Sequence, residues 1–343
     1  MRLLKSAMLS ASALGMVLIT MAPLTAEAQS SDQAQAQGQA QPSDQGQGRS
    51  GGRARPQPKV AWAPQPIKLT PYTPPNRPWW KLADILKSHA GQQSWTQDIS
   101  LSRDFHGQYI QMAPGEKTKT EFYADDRAFW MVQADQVRFT IEGQDPFVAS
   151  KGFLVQVPER VPYSLETVGD VPALFFQMTP AGEQPSYPLT ETPTPVKGWK
   201  YIQAAYTGEG HYAQGPGPIV NRPYIDFNTE VVQGGKRIPV FVQDDKTYAT
   251  IIRGPAPATP PQPTELGHFH ENFPEIWFIE EGQMELQVEG EPIIIANQGD
   301  ILQAAPERWH RLTSYGPGMS TRIPIIPRPG NLHYVQQGGA GGD

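Results

Sequence analysis

Three histidines and one glutamate stand at short intervals near the end of this 343-residue chain. His268 and His270 point to the same side if the backbone is extended there, because side chains alternate across a strand. Glu275 opens an apolar run, residues 276–279, that predicts the next strand. If His310 meets these residues on a closed sheet, three imidazoles and one carboxylate converge inside a barrel. Such a donor set suits a divalent first-row metal ion and leaves coordination positions for water or substrate.

The spacing of these residues resembles the two motifs of the cupin superfamily. The matching residues are His268, His270, Glu275 and His310 at the four metal-ligand positions, Gly282 at the turn of the first motif, and Gly299 and Pro306 at the start of the second. Two departures from the motifs stand out. Gln262 occupies the place of a glycine that usually lies six residues before the first histidine. Arg308 replaces the glycine of the second motif, and the segment from Pro306 to His310 is one residue short.

The resemblance implies an all-β chain built as a bicupin: two antiparallel barrels of the double-stranded β-helix or jelly-roll type. It also implies one divalent first-row ion per chain. Fe²⁺, Mn²⁺ and Ni²⁺ all suit the ligand set and Zn²⁺ is also tolerated, because these ligands do not select one ion. Cupins often pair barrels between chains, so a homodimer is compatible with the sequence, although no local segment identifies a dimer surface.

Residues 104–180 repeat the pattern of the C-terminal half without its ligands. Short apolar segments separated by turns predict an antiparallel barrel; they are residues 109–112, 129–132, 137–141, 153–157, 163–168 and 173–178. Residues 152–160 parallel residues 299–308, and both segments contain Pro-Glu-Arg. If Arg127 is aligned with Glu275, Thr120 and Phe122 fall at the positions of the first two histidines. If the alignment is shifted by one residue, Glu121 and Tyr123 fall there instead. Pro162 or Tyr163 falls at the position of His310. We therefore expect a first barrel without metal ligands.

The N-terminus predicts export. Residues 1–28 have a short basic start, an apolar run and a small-x-small cleavage site ending at Ala28, as in a secretory signal peptide. The apolar run is too short to predict a transmembrane helix. Residues 29–58 are rich in Gln, Gly, Ala and Ser and predict a disordered tether. The expected location is the bacterial periplasm or the exterior.

Composition narrows the functional classes. The chain has no cysteine, so an exported fold must be stabilised by its own core and by the metal. The net charge is −6 and no basic patch alternates with aromatic residues, which argues against a nucleic-acid partner. A small molecule is the expected partner.

The remaining segments complete the predicted domain organisation. Residues 59–103 are a Pro-rich segment with one short helix, 79–87, packed on a barrel. Residues 181–235 form a connector, residues 236–328 the metal-binding barrel, and residues 329–343 a disordered tail.

The surroundings of the metal predict the chemistry. If Glu275 faces inward, alternation turns Trp277 and Ile279 inward too, and His310 brings Leu312 with it. An apolar, aromatic pocket suits an aromatic or phenolic substrate. From position alone, the candidate pocket residues are Trp277, Tyr248, Arg253, Gln303 and Arg322.

The favoured function is a cupin-type dioxygenase in which Glu275 or a water accepts a substrate proton. One alternative is a redox-neutral decarboxylase, lyase or isomerase of a small carboxylate or sugar acid, for which Arg253 or Arg322 would hold the anion. The other is a non-catalytic protein that binds a metal or small ligand.

Overall fold

The computed structural model describes residues 59–212, 221–328 and 333–336. The predicted signal peptide, the predicted tether and most of the predicted tail lie outside these residues. The regular structure of the described chain is almost entirely β-strand, in four antiparallel sheets with two short helices, so the predicted all-β class is confirmed. Among the described residues, none of the helices has the length and apolar character needed to cross a membrane.

The first barrel combines a six-stranded and a three-stranded sheet. The elements of this half are β1 (Trp79–Trp80), α1 (Leu82–Ser88), β2 (Trp95–Leu101), β3 (Phe105–Met112), β4 (Ala128–Ala134), β5 (Val137–Ile141), β6 (Phe147–Ala149), β7 (Phe153–Val157), β8 (Tyr163–Thr167), β9 (Ala173–Pro180) and β10 (Tyr224–Asp226). The large sheet has the order β10-β7-β4-β9-β3-β2 and the small sheet the order β6-β5-β8. Trp130, Phe139 and Phe175 belong to the apolar core enclosed by these two sheets.

The second barrel follows a π-helical turn, Phe227–Gln233. Its strands are β11 (Val240–Gln243), β12 (Thr247–Thr250), β13 (Ile252–Pro255), β14 (His268–Phe269), β15 (Glu275–Glu281), β16 (Gln283–Val288), β17 (Ile294–Asn297), β18 (Ile301–Ala304), β19 (His310–Tyr315), β20 (Met319–Pro327) and β21 (Tyr334–Val335). One sheet has the order β1-β18-β15-β20-β12-β11, with β13 also paired to β20, and the other the order β17-β16-β19-β14-β21. Trp277, Leu286 and Leu312 lie in the core enclosed between them.

The two large sheets pack against each other through a shared apolar layer. The rings of Phe176 and Phe278 stack with their centroids 6.0 Å apart, and Phe129 meets Phe241 edge-on at 5.8 Å. Residues on β15 alternate between this layer and the barrel interior, because adjacent strand residues point to opposite faces. The same alternation therefore supplies both the contact between the barrels and the wall of the second barrel.

Buried polar groups also join the barrels. Arg127 is 4% exposed, pairs with Asp244 of the second barrel and donates to Gln156 Oε1 over 2.7 Å. Gln156 in turn donates to the Phe241 carbonyl oxygen over 2.7 Å. Each of these buried polar groups thus has a partner, as burial requires.

Residues 65–81, here called the N-terminal arm, run across the second barrel. Gln65 donates to Glu289, and β1 adds a short strand to β18 with Trp79 opposite Leu302. The Asp300 carboxylate accepts hydrogen bonds from Trp79 Nε1 (3.0 Å) and from the first backbone N–H of α1 (2.9 Å). A carboxylate at this position satisfies an otherwise unpaired N–H group and complements the helix dipole.

Several predicted boundaries differ from the structure. The helix predicted over residues 79–87 begins only at Leu82, because the two tryptophans before it extend the β18 sheet. The first barrel begins with β2, before residue 104, because β2 pairs along β3. The connector supplies β10, which pairs with β7. The tail is also not wholly irregular, since β21 pairs with β14.

Candidate metal centre

The four motif side chains come together at one end of the second barrel. Glu275 Oε2 lies 2.8 Å from His270 Nε2, 3.4 Å from His268 Nε2 and 3.3 Å from His310 Nε2. The four potential ligand atoms all lie within 4.8 Å of one another. Each of these residues is at most 6% exposed. The sequence motif therefore corresponds to a single buried cluster.

Strand pairing explains why these residues meet. β14 pairs with β19 so that His268 lies opposite His310. Gly267 makes this close approach feasible, since its φ is +78° and a Cβ atom there would collide with the His310 carbonyl oxygen. Glu275 is the first residue of β15 and lies opposite Ala304, whose side chain is small.

Burial and hydrogen bonding set the protonation states of the cluster. Desolvation lowers the pKa of His268 and of His270, although hydrogen bonds to Glu275 oppose this effect. Burial alone would raise the pKa of Glu275, but the close contacts of its carboxylate with the three imidazole rings outweigh burial and hold that pKa well below its usual range. Neutral imidazoles and an ionised carboxylate are the forms that bind metal ions.

The orientation of His310 is fixed by a backbone carbonyl. His310 Nδ1 lies 2.8 Å from the Arg308 carbonyl oxygen and donates to it, so the Nε2 lone pair faces the cluster. Metal-binding histidines usually have such a partner for the second ring nitrogen. Three imidazole nitrogens and one carboxylate oxygen thus fit a divalent first-row ion, and this set is compatible with Fe²⁺, Mn²⁺, Ni²⁺ or Zn²⁺.

Arg308, which replaces the motif glycine, fastens the loop before His310. Its guanidinium donates to the carbonyl oxygens of Glu289 (2.7 Å) and Thr70 (2.8 Å). The same group lies 4.7 Å from the centroid of the Tyr72 ring. The departure from the motif is therefore compensated by contacts with the N-terminal arm, and His310 still reaches the cluster.

The wall beside the cluster is apolar and aromatic. Trp277, Ile279 and Leu312 are at most 1% exposed and lie in the core of the second barrel. The Trp277 ring is 5.3 Å from the His310 ring. Its Nε1 atom is buried and has no hydrogen-bond partner within the described part of the chain. Trp277 therefore contributes to this wall one N–H group without a hydrogen-bond partner among the described residues.

Strand register assigns two of the polar candidates to the face that carries Glu275. Ile279 pairs with Arg322, so Arg322 shares the inward face of β15. Tyr248 pairs with Ile326, which is four residues after Arg322 on β20 and lies on the same face. Both side chains thus belong to the wall of the metal-bearing barrel.

The other two candidates do not reach the site. Gln303 lies between two residues that face the interior, so its side chain points away from it and donates to Asn76 over 3.2 Å. Arg253 forms two hydrogen bonds with the Glu281 carboxylate, at 2.7 and 2.9 Å. Their assignment to the pocket was wrong because position in the sequence did not reveal the strand register.

One residue near the cluster was not predicted. The His333 ring lies 4.4 Å from the His270 ring and 4.8 Å from the His268 ring. It precedes β21, which brings the end of the chain beside β14. No motif spacing connects His333 to the other histidines, so only its residue type could have identified it.

The first barrel has a matching set of positions 147 residues earlier. Glu121 lies opposite Tyr163 in the first barrel, just as His268 lies opposite His310 in the second. Glu121 precedes His268 by 147 residues (268 − 121), and Tyr163 precedes His310 by the same number (310 − 163). Likewise, Ala128 pairs with Val157 as Glu275 pairs with Ala304. The ligand positions are therefore occupied by Glu121, Tyr123, Ala128 and Tyr163.

Of the two alignments considered from the sequence, this register selects the one with Glu121 and Tyr123 and excludes the one based on Arg127. It also shows that the shared Pro-Glu-Arg is out of structural register by one position. Burial raises the pKa of Glu121 to about 6, and the Tyr163 hydroxyl lies 3.4 Å from its carboxylate. This position thus holds a carboxyl and phenol cluster without imidazole.

Comparisons with known proteins agree with this architecture. Residues 258–323 match the family model described as "Cupin domain". No curated protein matches the chain. A salicylate 1,2-dioxygenase from Pseudaminobacter salicylatoxidans superposes with a TM-score of 0.50 at 13% identity, covering 76% of this chain and 86% of that one. At this identity the likeness shows the fold alone.

Two further solved structures are more distant. An oxalate decarboxylase variant from B. subtilis gives a TM-score of 0.42 at 12% identity, covering 71% of this chain and 75% of that one. A cupin 2 conserved barrel domain protein from Leptotrichia buccalis gives 0.45 at 10% identity, covering 73% and 96%.

Proposed function

Starting from a chain whose residues 258–323 match the family model of a cupin domain, we propose that its second barrel is the active site of a metal-dependent enzyme. The supporting observation is the convergence of four buried side chains, three imidazoles and one carboxylate, on a single point. A divalent ion held there would supply Lewis acidity and open coordination positions for a substrate and a second small molecule.

The reaction we favour is oxygenation of a small aromatic, phenolic or enolisable compound by dioxygen. Trp277 and Leu312 provide a flat apolar wall for a ring, and the Trp277 N–H group can donate to a substrate oxygen. Glu275 is the group to which we assign the substrate proton, directly or through a water. A Glu275→Gln protein that keeps its metal and its full activity would contradict that role.

A redox-neutral reaction on a small carboxylate or sugar acid is the second candidate. The basic residue that we assign to it is Arg322, which is 5% exposed and lies on the metal-bearing face, four residues along β20 from Ile326, the residue level with Glu275. A guanidinium there would stabilise an anionic substrate during decarboxylation, elimination or isomerisation. Dioxygen would not be consumed in this case.

We further propose that the enzyme acts in the periplasm or outside the cell. Residues 1–28 support this proposal because they have the features of a secretory signal peptide. Fractionation of expressing cells, followed by N-terminal sequencing of the product, tests it. A product beginning near Gln29 in the exported fraction is the expected result, and an uncleaved cytoplasmic chain would contradict it.

Oxygen uptake tests the favoured reaction. The metal-loaded protein is mixed with phenolic, diketone and carboxylic compounds in an oxygen electrode, in parallel with His268→Ala. Substrate-dependent uptake in stoichiometric amounts, lost in the variant, is the expected result. Turnover without oxygen uptake would establish the second candidate, and binding without turnover of any compound would indicate a non-catalytic protein.

A further inference from the structure

We propose that Arg328, supported by the ring of Tyr248, binds a carboxylate of the substrate at the mouth of the metal-bearing barrel. The substrate class is then an elongated aromatic or unsaturated acid, with its reacting end at the metal and its carboxylate at Arg328. This inference rests on the proposed function and specifies the ligand of the same site.

Strand register places Arg328 on the metal-bearing face. Trp277 lies opposite Pro324, and alternation along β20 carries that face to Ile326 and, continued one residue beyond the end of the strand at Pro327, to Arg328. The backbone N–H of Arg328 donates to the Lys246 carbonyl oxygen over 2.7 Å, which keeps this end of β20 beside β12. The guanidinium carbon of Arg328 is 4.6 Å from the centroid of the Tyr248 ring. The two side chains therefore form a stacked pair on this face.

The position of this pair along the strands puts it at the end where the metal ligands lie. Ile276 pairs with Ile325, so Glu275 is level with Ile326, the residue that also pairs with Tyr248. Arg328 is two residues further toward the end of the barrel. Both Tyr248 and Arg328 are partly exposed, whereas Ile326 between them and Glu275 is 6% exposed. The pair thus stands between solvent and the buried cluster.

The charge of Arg328 indicates an anionic ligand. Its Nε atom is buried and has no hydrogen-bond partner in the parts of the chain that the structure describes. Arg253 on the same sheet differs, since the Glu281 carboxylate binds its guanidinium. A buried guanidinium N–H group without an acceptor is unfavourable, and a carboxylate would provide a charge-assisted hydrogen bond.

The separation between the two ends of the site sets the length of the ligand. β12 is two strands from β15, and neighbouring strands are about 4.8 Å apart, so the Tyr248–Arg328 pair lies roughly 10 Å from Glu275 across the sheet. A two-carbon diacid cannot span this distance. A benzene ring with a carboxylate at one end and a hydroxyl group at the other can span it, and the apolar wall beside Trp277 suits such a ring.

Ligand binding to the metal-loaded full chain tests this assignment. The probes are 4-hydroxybenzoate and its neutral analogue 4-hydroxybenzyl alcohol, with Zn²⁺ as the metal, so that dissociation constants are measured by calorimetry without turnover. Wild type is expected to prefer the carboxylate. Arg328→Gln is expected to weaken carboxylate binding by about tenfold or more while leaving the alcohol unchanged. Arg328→Lys keeps the positive charge, and its affinity for the carboxylate is expected to lie between those of wild type and Arg328→Gln.

Arg253→Gln is the matched control. The Arg253 guanidinium is already paired with Glu281, so its removal should not change the affinity for either probe. Equal affinity of wild type for the two probes, or unchanged carboxylate binding in Arg328→Gln, would overturn the inference. Metal content is measured on the same samples, so that a failure of the proposed function can be distinguished from a failure of the role of Arg328. A wild type without metal contradicts the proposed function, whereas full metal with unchanged carboxylate binding contradicts only the role of Arg328.

Discussion

His268 and His310 face each other across β14 and β19 with their Nε2 atoms 3.1 Å apart. At this separation the two nitrogens can share one proton or one cation. They cannot both be protonated, because the two N–H groups would then point at each other. Glu275 Oε2 lies within 3.4 Å of both. The arrangement brings lone pairs and one negative charge to a common point, which is the electrostatic requirement of a cation site.

Removing the Arg308 side chain should weaken both the fold and the metal site. Arg308→Ala leaves the carbonyl oxygens of Glu289 and Thr70 without their donors. The expected loss in the free energy of unfolding is about 1–3 kcal/mol. Because the loop that orients His310 loosens, metal affinity should fall by roughly tenfold. Urea unfolding and titration against a chelator measure the two effects.

Arg138→Ala is the control for this experiment. Its guanidinium forms an exposed pair with Glu166, with the two side chains 43% and 35% exposed. Pairs of this kind contribute at most about 1 kcal/mol, and no change in metal affinity is expected. An Arg308→Ala protein as stable as this control, with unchanged metal affinity, would show that the N-terminal arm does not support the site.

Glu280 should make stability depend on pH. It is 1% exposed at a β-bulge of β15, and burial raises its pKa to about 8, so it is protonated in the folded protein at neutral pH. The contribution of the protonated Glu280 side chain to the free energy of unfolding is complete below pH 4.5, the ordinary pKa of a glutamate. This contribution is lost as the pH rises to about 8. Glu280→Gln should therefore increase the free energy of unfolding by a few kcal/mol at pH 8.5 and change it little at pH 4.

The first barrel offers a precedent for this substitution. Gln133, 147 residues earlier (280 − 133), occupies the corresponding bulge of β4 and is also buried. Glu281→Gln serves as the opposite control, because Glu281 binds Arg253 and its loss should destabilise the protein at pH 8.5. Parallel pH dependences for Glu280→Gln and wild type would refute the assignment.

The hydroxyl group of Tyr109 should contribute to the contact between the barrels. Tyr109 is fully buried on β3, and its hydroxyl donates to the Gly299 carbonyl oxygen of the second barrel. Tyr109→Phe should lower the free energy of unfolding by about 1–3 kcal/mol, because that carbonyl loses its donor. Metal content should stay the same. Tyr315→Phe, at a position 43% exposed, should leave stability within about 0.5 kcal/mol of wild type.

The fold class and the grouping of the four motif residues were predictable because the motif spacing resembles that of the cupin superfamily. His268 and His270 are two residues apart, and alternation places them on one side without further information. The family match and the two-barrel fold confirm the cupin resemblance. The identity of the metal, the reaction and the location of the protein remain predictions.

What the sequence did not predict depends on contacts between distant segments. Gln303 and Arg253 were placed in the pocket because their distance from the motif was small, but strand register turns both away from it. His333 reaches the cluster only because β21 pairs with β14. The sequence left two alignments of the first barrel open, and only the pairing of Glu121 with Tyr163 decides between them.

The metal content of the purified full chain tests the central claim most directly. Elemental analysis would compare wild type with His268→Ala and His310→Ala, and with His106→Ala as a control, since His106 is partly exposed and bonded to Asp98 in the first barrel. About one first-row ion per chain in wild type and His106→Ala, with loss from the other two variants, is the predicted result. Wild type without metal, or equal metal content in all four proteins, would contradict the metal centre.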